Sequence, residues 1–119
     1  LEIEMKYMLL FCNETAERDE WQGRTDAQKE GAYEAIGQWF GANADKLVLT
    51  EELKGPETAK TVRINAAGEA TVTDGPYMEA KEVIGGFAVF DVADEAAALE
   101  MARTWPAGGT VEVRPVVPR

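Results

Sequence analysis

Two segments of this chain are apolar at both alternating positions, and that limits its possible folds more than any other feature. Lys6 to Cys12 reads KYMLLFC, and Val83 to Val92 reads VIGGFAVFDV. A strand with one wet face alternates apolar and polar side chains. A near-continuous apolar run of this length reads as a strand covered on both sides. Neither run approaches the ~20 residues of a membrane span, and the second is interrupted by Gly85, Gly86 and Asp91. The chain must therefore cover two faces of one sheet. Its 119 residues supply a single domain with a real core, read here as residues 5–119. Residues 1–4 precede a natural-looking start at Met5 and read as a cloning scar outside the fold.

The other segments decide what supplies the cover. Thr25-Asp26-Ala27-Gln28 fits a capping box opening a helix, with Ala32, Ala35, Ile36, Trp39 and Phe40 on one stripe. Gly41 and Asn43 are its stop signals. Lys46 to Leu53 reads as a strand ended by Gly55-Pro56. Lys60 to Asn65 alternates, with Val62 and Ile64 expected inward, and returns through Gly68 into Ala70 to Thr73 as a hairpin. Asp94 caps a second helix, whose expected buried stripe is Ala98, Leu99 and Ala102 with Met101 at its edge. Thr110 to Val116 is the last strand, and polar Asn13 to Gly23 is expected as a surface loop. The order β-α-β-(β-β)-β-α-β predicts an α+β fold, a ferredoxin-like sandwich. Its helices cover one sheet face. The expected cover for the other is a second copy, two sheets packing face to face in a two-fold homodimer.

Charge and composition exclude several function classes. Lys plus Arg is 12 and Asp plus Glu is 22, a formal charge of -10. Such a field repels phosphate backbones and anionic lipid, so neither nucleic acid nor a membrane is the expected partner. The chain has no His and one Cys, Cys12. Histidine bases, histidine metal sites, intrachain disulfides and thiolate metal clusters are thereby excluded, and neither metal nor cofactor is expected. A lone thiol with no signal peptide suits a reducing cytoplasm. Cys12 itself ends an apolar strand with no base nearby in sequence, as expected of a buried inert thiol.

Asp74-Gly75-Pro76-Tyr77 is the most specific string in the chain. Gly75 admits a backbone angle other residues resist, Pro76 fixes its own, and Asp74 can bond amides two residues on. The string lies within TDGPYMEAKEVIGGFAVFDVADEAAALEMA, between an opening MKYMLLF and a closing GTVEVRPV. In that order and spacing, from Met5 to Val116, the chain resembles the DGPF-domain branch of the YCII-related family, with Tyr77 where the motif has Phe. The resemblance implies a bacterial protein with a ferredoxin-like fold that dimerises into an α/β barrel. It implies little about activity. Genes of this branch often lie near those of extracytoplasmic-function sigma factors. Relatives outside it are proposed to work through a His-Asp pair, one of them in breakdown of chlorinated aromatics. This chain has no His to complete such a pair.

The candidate site residues gather after the motif. In the functional reading, Asp74 is a partly desolvated general base at the mouth of a pocket. Lys81 anchors an anionic group, Tyr77 is a wall or donor, Glu79 lies beside them, and Gly85-Gly86 leaves space for a small-molecule ligand. Proton transfer, elimination or hydration are reactions a carboxylate alone can serve. In the bland reading, Asp74 caps its own turn, the charges form surface pairs, and the glycines mark a bulge or a close approach. The two readings define two function classes. One is a dimeric small-molecule enzyme or binder. The other is a non-catalytic regulatory or protein-interaction module with an acidic surface.

Overall fold

The structure is a computed structural model and describes residues 5–75 and 82–119. In chain order its elements are β1 (Met5–Glu14), α1 (Thr15–Gln22), α2 (Asp26–Ala42), β2 (Leu47–Glu52), a short 3-10 turn (Pro56–Thr58), β3 (Lys60–Ile64), β4 (Ala70–Asp74), β5 (Glu82–Val92), α3 (Glu95–Arg103) and β6 (Thr110–Pro115). Four strands form one antiparallel sheet in the order β2-β5-β1-β6. The two apolar runs are its central pair. This mixed α+β architecture, with three helices among the described residues, is compatible with the ferredoxin-like expectation. Strands β3 and β4 form a separate two-stranded sheet.

Register defines the two faces of the main sheet. On one face lie the rows Leu47–Phe90–Tyr7–Pro115, Thr50–Ala88–Leu9–Val113 and Glu52–Gly86–Phe11–Val111. Tyr7, Leu9, Phe11, Ala88 and Phe90 of these rows are buried and form the core with Trp39, Val92, Ala98 and Met101. Trp39 of α2 is the centre of the packing. Its ring meets Phe11, Phe40, Phe90 and Trp105 edge-on at centroid distances of 5.0–6.1 Å. Its Nε1 donates to Thr104 Oγ1 at 2.8 Å, tying α2 to the end of α3. Phe11 stacks on Trp105 at 4.0 Å. An indole buried this way needs a partner for its N–H, and Thr104 supplies it.

Both helix starts read from the sequence are present. Gln28 N donates to Thr25 Oγ1 and Thr25 N donates to Gln28 Oε1. Asp94 Oδ1 accepts from Ala97 N at 2.9 Å.

Three expectations need correction. The stretch expected as a loop extends β1 to Glu14 and then forms α1. Glu14 N donates to Glu17 Oε1 in the new first turn, Arg24 bridges Glu20 at 2.9 Å, and Trp21 meets Tyr33 edge-on at 5.4 Å. The helix buries no residue of its own, so it leaves no apolar stripe to read. On α3, Met101 is buried and Leu99 is 39% exposed. Ala98, Met101, Ala102 and Trp105 follow the three-and-four spacing of one helix face, and Leu99 falls off it. Finally, Val62 and Ile64 are not inward: they are 54% and 70% exposed, and Val72 opposite is 63% exposed.

The molecule is thin. Its principal extents are 47 × 44 × 18 Å and its radius of gyration is 16.8 Å, against about 13–14 Å for a compact chain of this length. A depth of 18 Å suits one sheet under one layer of helices at a spacing of ~10 Å. Among the described residues no further layer lies over the other face.

Candidate functional site

The second sheet face has an apolar centre and an ionic margin. Its rows are Leu49–Val89–Met8–Arg114, Glu51–Phe87–Leu10–Glu112 and, at the far end, Ile84–Cys12–Thr110. Leu49 and Ile84 are exposed, Met8, Leu10 and Phe87 half-buried, and Val89 is covered by its neighbours. Glu51 and Glu112 close the central row from the two edge strands. An apolar centre ringed by charge is the composition of an interface core with its rim.

Cys12 lies at the acidic end of this face. It is buried and unpaired. Burial raises its pKa above the ordinary 9.0, and the Glu82 and Glu112 carboxylates raise it further. Thr110 Oγ1 donates to Glu82 Oε1 at 3.2 Å. The thiol is thus held protonated, in the surroundings opposite to those that make a cysteine nucleophilic. Sequence reasoning identified the inert thiol but missed its acidic neighbours. Glu82 and Glu112 lie 30 residues apart, and only the strand register brings them together around it.

Gly85 and Gly86 occupy the irregularity between β5 and β1. Phe11 pairs with Gly86 and Cys12 with Ile84, so Gly85 is the extra residue of a bulge. Its carbonyl accepts from Leu53 N at 2.8 Å. A Cβ on Gly86 would come within 3.1 Å of the Glu51 carbonyl oxygen and 3.9 Å of the Phe11 ring. The pair lets edge strand β2 and the core aromatic approach β5 closely.

Asp74 ends β4, in the separate hairpin. Its carboxylate pairs with Lys60 Nζ across the two strands, and its side chain is 89% exposed. Gly75 follows at φ 76°, the backbone angle its turn requires. Gly75 N donates to the Ala59 carbonyl and Thr61 Oγ1 donates to the Gly75 carbonyl, closing the hairpin's root. Tyr77, Glu79 and Lys81 lie outside the described residues. The structure therefore places Gly85 and Gly86 in the main sheet and Asp74 in the other one.

Two open recesses lie on the helix side. One of about 370 Å³ is lined by Leu99, Arg103, Trp105 and Val111 among others, and one of about 410 Å³ runs between Lys46, Val92 and Met101. Neither is lined by Asp74 or by the second sheet face. Arg18 of α1 keeps Nη1 buried without a hydrogen-bond partner among the described residues. No group of three His, Cys, Asp or Glu side chains among those residues is placed to hold a metal ion. Nor is any helix among them long and apolar enough to cross a membrane.

These features define a class: an α+β protein whose antiparallel sheet carries helices on one face and an open apolar surface on the other. The chain belongs to the YCII-related family, whose model, "YCII-related domain", matches residues 5–119. It is also 33% identical over 116 residues to a protein of Rhizobium meliloti (strain 1021) described as "Uncharacterized protein R00369". The match covers 94% of this chain and 92% of that protein.

Proposed function

We propose that the chain is a DGPF-type member of its family that works as a two-fold dimer and binds a small molecule between the apposed sheet faces. The observation that carries this reading is the open sheet face, with Leu49 and Ile84 exposed and Met8, Leu10 and Phe87 half-buried. Burying apolar area is the main gain in association, and two such surfaces meeting face to face enclose a recess bounded by their charged margins. Asp74 supplies the base, with Lys81 as anchor for an anionic group, Tyr77 as wall or donor, and Glu79 as a further ligand-binding residue. Gly85, the extra residue of the bulge, adds no side chain beside the ligand, while Gly86 faces the helix side and lets Phe11 and β2 pack closely there. The single buried thiol suits a cytoplasmic setting.

One observation favours the second reading, an acidic regulatory or interaction module. Asp74 is exposed and already paired with Lys60, whereas a general base works from within a pocket that shields it from water. A thermal-shift screen against small carboxylate and carbonyl metabolites separates the two. A ligand that binds the folded state raises the melting temperature by mass action. The binding reading expects a shift for at least one class of ligand, and loss or weakening of that shift in Asp74→Asn. Shifts that Asp74→Asn leaves unchanged contradict the role given to Asp74, and no shift from any ligand favours the interaction module.

A further inference from the structure

The hairpin is amphipathic, and its apolar side is bare. The register pairs Lys60 with Asp74, Val62 with Val72 and Ile64 with Ala70, which places these six residues on one face. Thr61, Thr73, Arg63 and Thr71 take the other face. Val62, Ile64 and Val72 are more than half exposed, and every described residue of β4 is exposed. A two-stranded hairpin is marginal in water unless something covers its apolar side.

We propose that this hairpin is an arm that lays its Val62–Ile64–Val72 stripe on a second copy of the chain, so that Asp74 completes the partner's site rather than its own. Asp74 and Lys60 share the stripe's face, so whatever the stripe docks on also meets their ion pair. This explains an exposed carboxylate at the most specific motif of the sequence. The inference rests on the dimer reading and deepens it.

Area argues for a second copy as the occupant. Four strands ~4.8 Å apart and about six residues long give the sheet face a plan area of ~400 Å², about half of the ~800 Å² per partner of a standard interface. The hairpin face adds ~150 Å². Two-fold symmetry counts that twice, once for the arm given and once for the arm received. The combined surface then reaches roughly the standard size. Neither surface is sufficient alone, and one isologous pairing uses both.

The test uses the full chain. A photo-crosslinking benzoylphenylalanine at position 64 should give covalent species of twice the protomer mass on irradiation. Val62→Lys with Val72→Lys alters only exposed side chains. It should keep the protomer's circular dichroism while raising the dimer dissociation constant roughly ten-fold or more. Links confined to one chain, with dimer affinity unchanged in the double variant, overturn the arm and leave the sheet-to-sheet dimer standing. A wild-type chain that stays monomeric overturns both.

Discussion

Cys12 shows how an individual residue's chemistry follows from the strands around it. The sheet buries the thiol, and two carboxylates from neighbouring strands oppose its ionisation. Its pKa is raised on folding, so the linked stability is intact below the ordinary 9.0 and declines as pH climbs from there through the folded value. Alkylation of the native protein by iodoacetamide is therefore expected to be slow at pH 8, with its pH midpoint above that of a free thiol. Glu112→Gln should move the midpoint back toward the ordinary value. An unchanged midpoint would leave burial and Glu82 as the causes. The same neighbourhood shows what a single sequence conveys. That Cys12 is buried was legible from the apolar run it ends. That it is surrounded by acid was not, because alternation places Glu112 on a face without saying which strand lies beside it.

At the scale of elements, local capping chemistry was the most legible signal. The Thr25–Gln28 box forms as its spacing requires. Replacing Thr25 with Ala should cost about 1 kcal/mol, within the range of measured N-cap losses, and a denaturant melt reads it directly. A loss near zero would mean that the anchoring of Trp39 holds α2 regardless of its cap. Helix α1 was illegible because TAERDEWQ has one large apolar residue and a Glu at its cap, so neither periodicity nor the usual cap residues mark it. The hairpin failed differently. Its alternation is real, but period two says only that Val62 and Ile64 share a face, not that their own chain covers it. The site divides along the same line. The bulge at Gly85-Gly86 follows from glycines in a buried strand. The placement of Asp74 in a separate sheet depends on how far the hairpin departs from the core, which no local pattern encodes.

The whole molecule is a two-layer slab with helices on one side and two bare apolar surfaces, the sheet's second face and the hairpin stripe. Continuous apolarity in β1 and β5 implied that something must cover both faces, and among the described residues helices cover only one. A monomer would leave Leu49, Ile84, Val62, Ile64 and Val72 in water together. Exposed apolar patches of that kind mark interaction sites in soluble proteins. If a second copy covers them, sedimentation equilibrium across micromolar concentrations will show it. The wild-type chain should sediment at twice its 13.0 kDa mass, and Phe87→Glu, in the middle of the open face, should shift it to the protomer mass with its secondary structure kept. A wild-type species at the protomer mass throughout that range would mean that both apolar surfaces stay in water and no dimer forms.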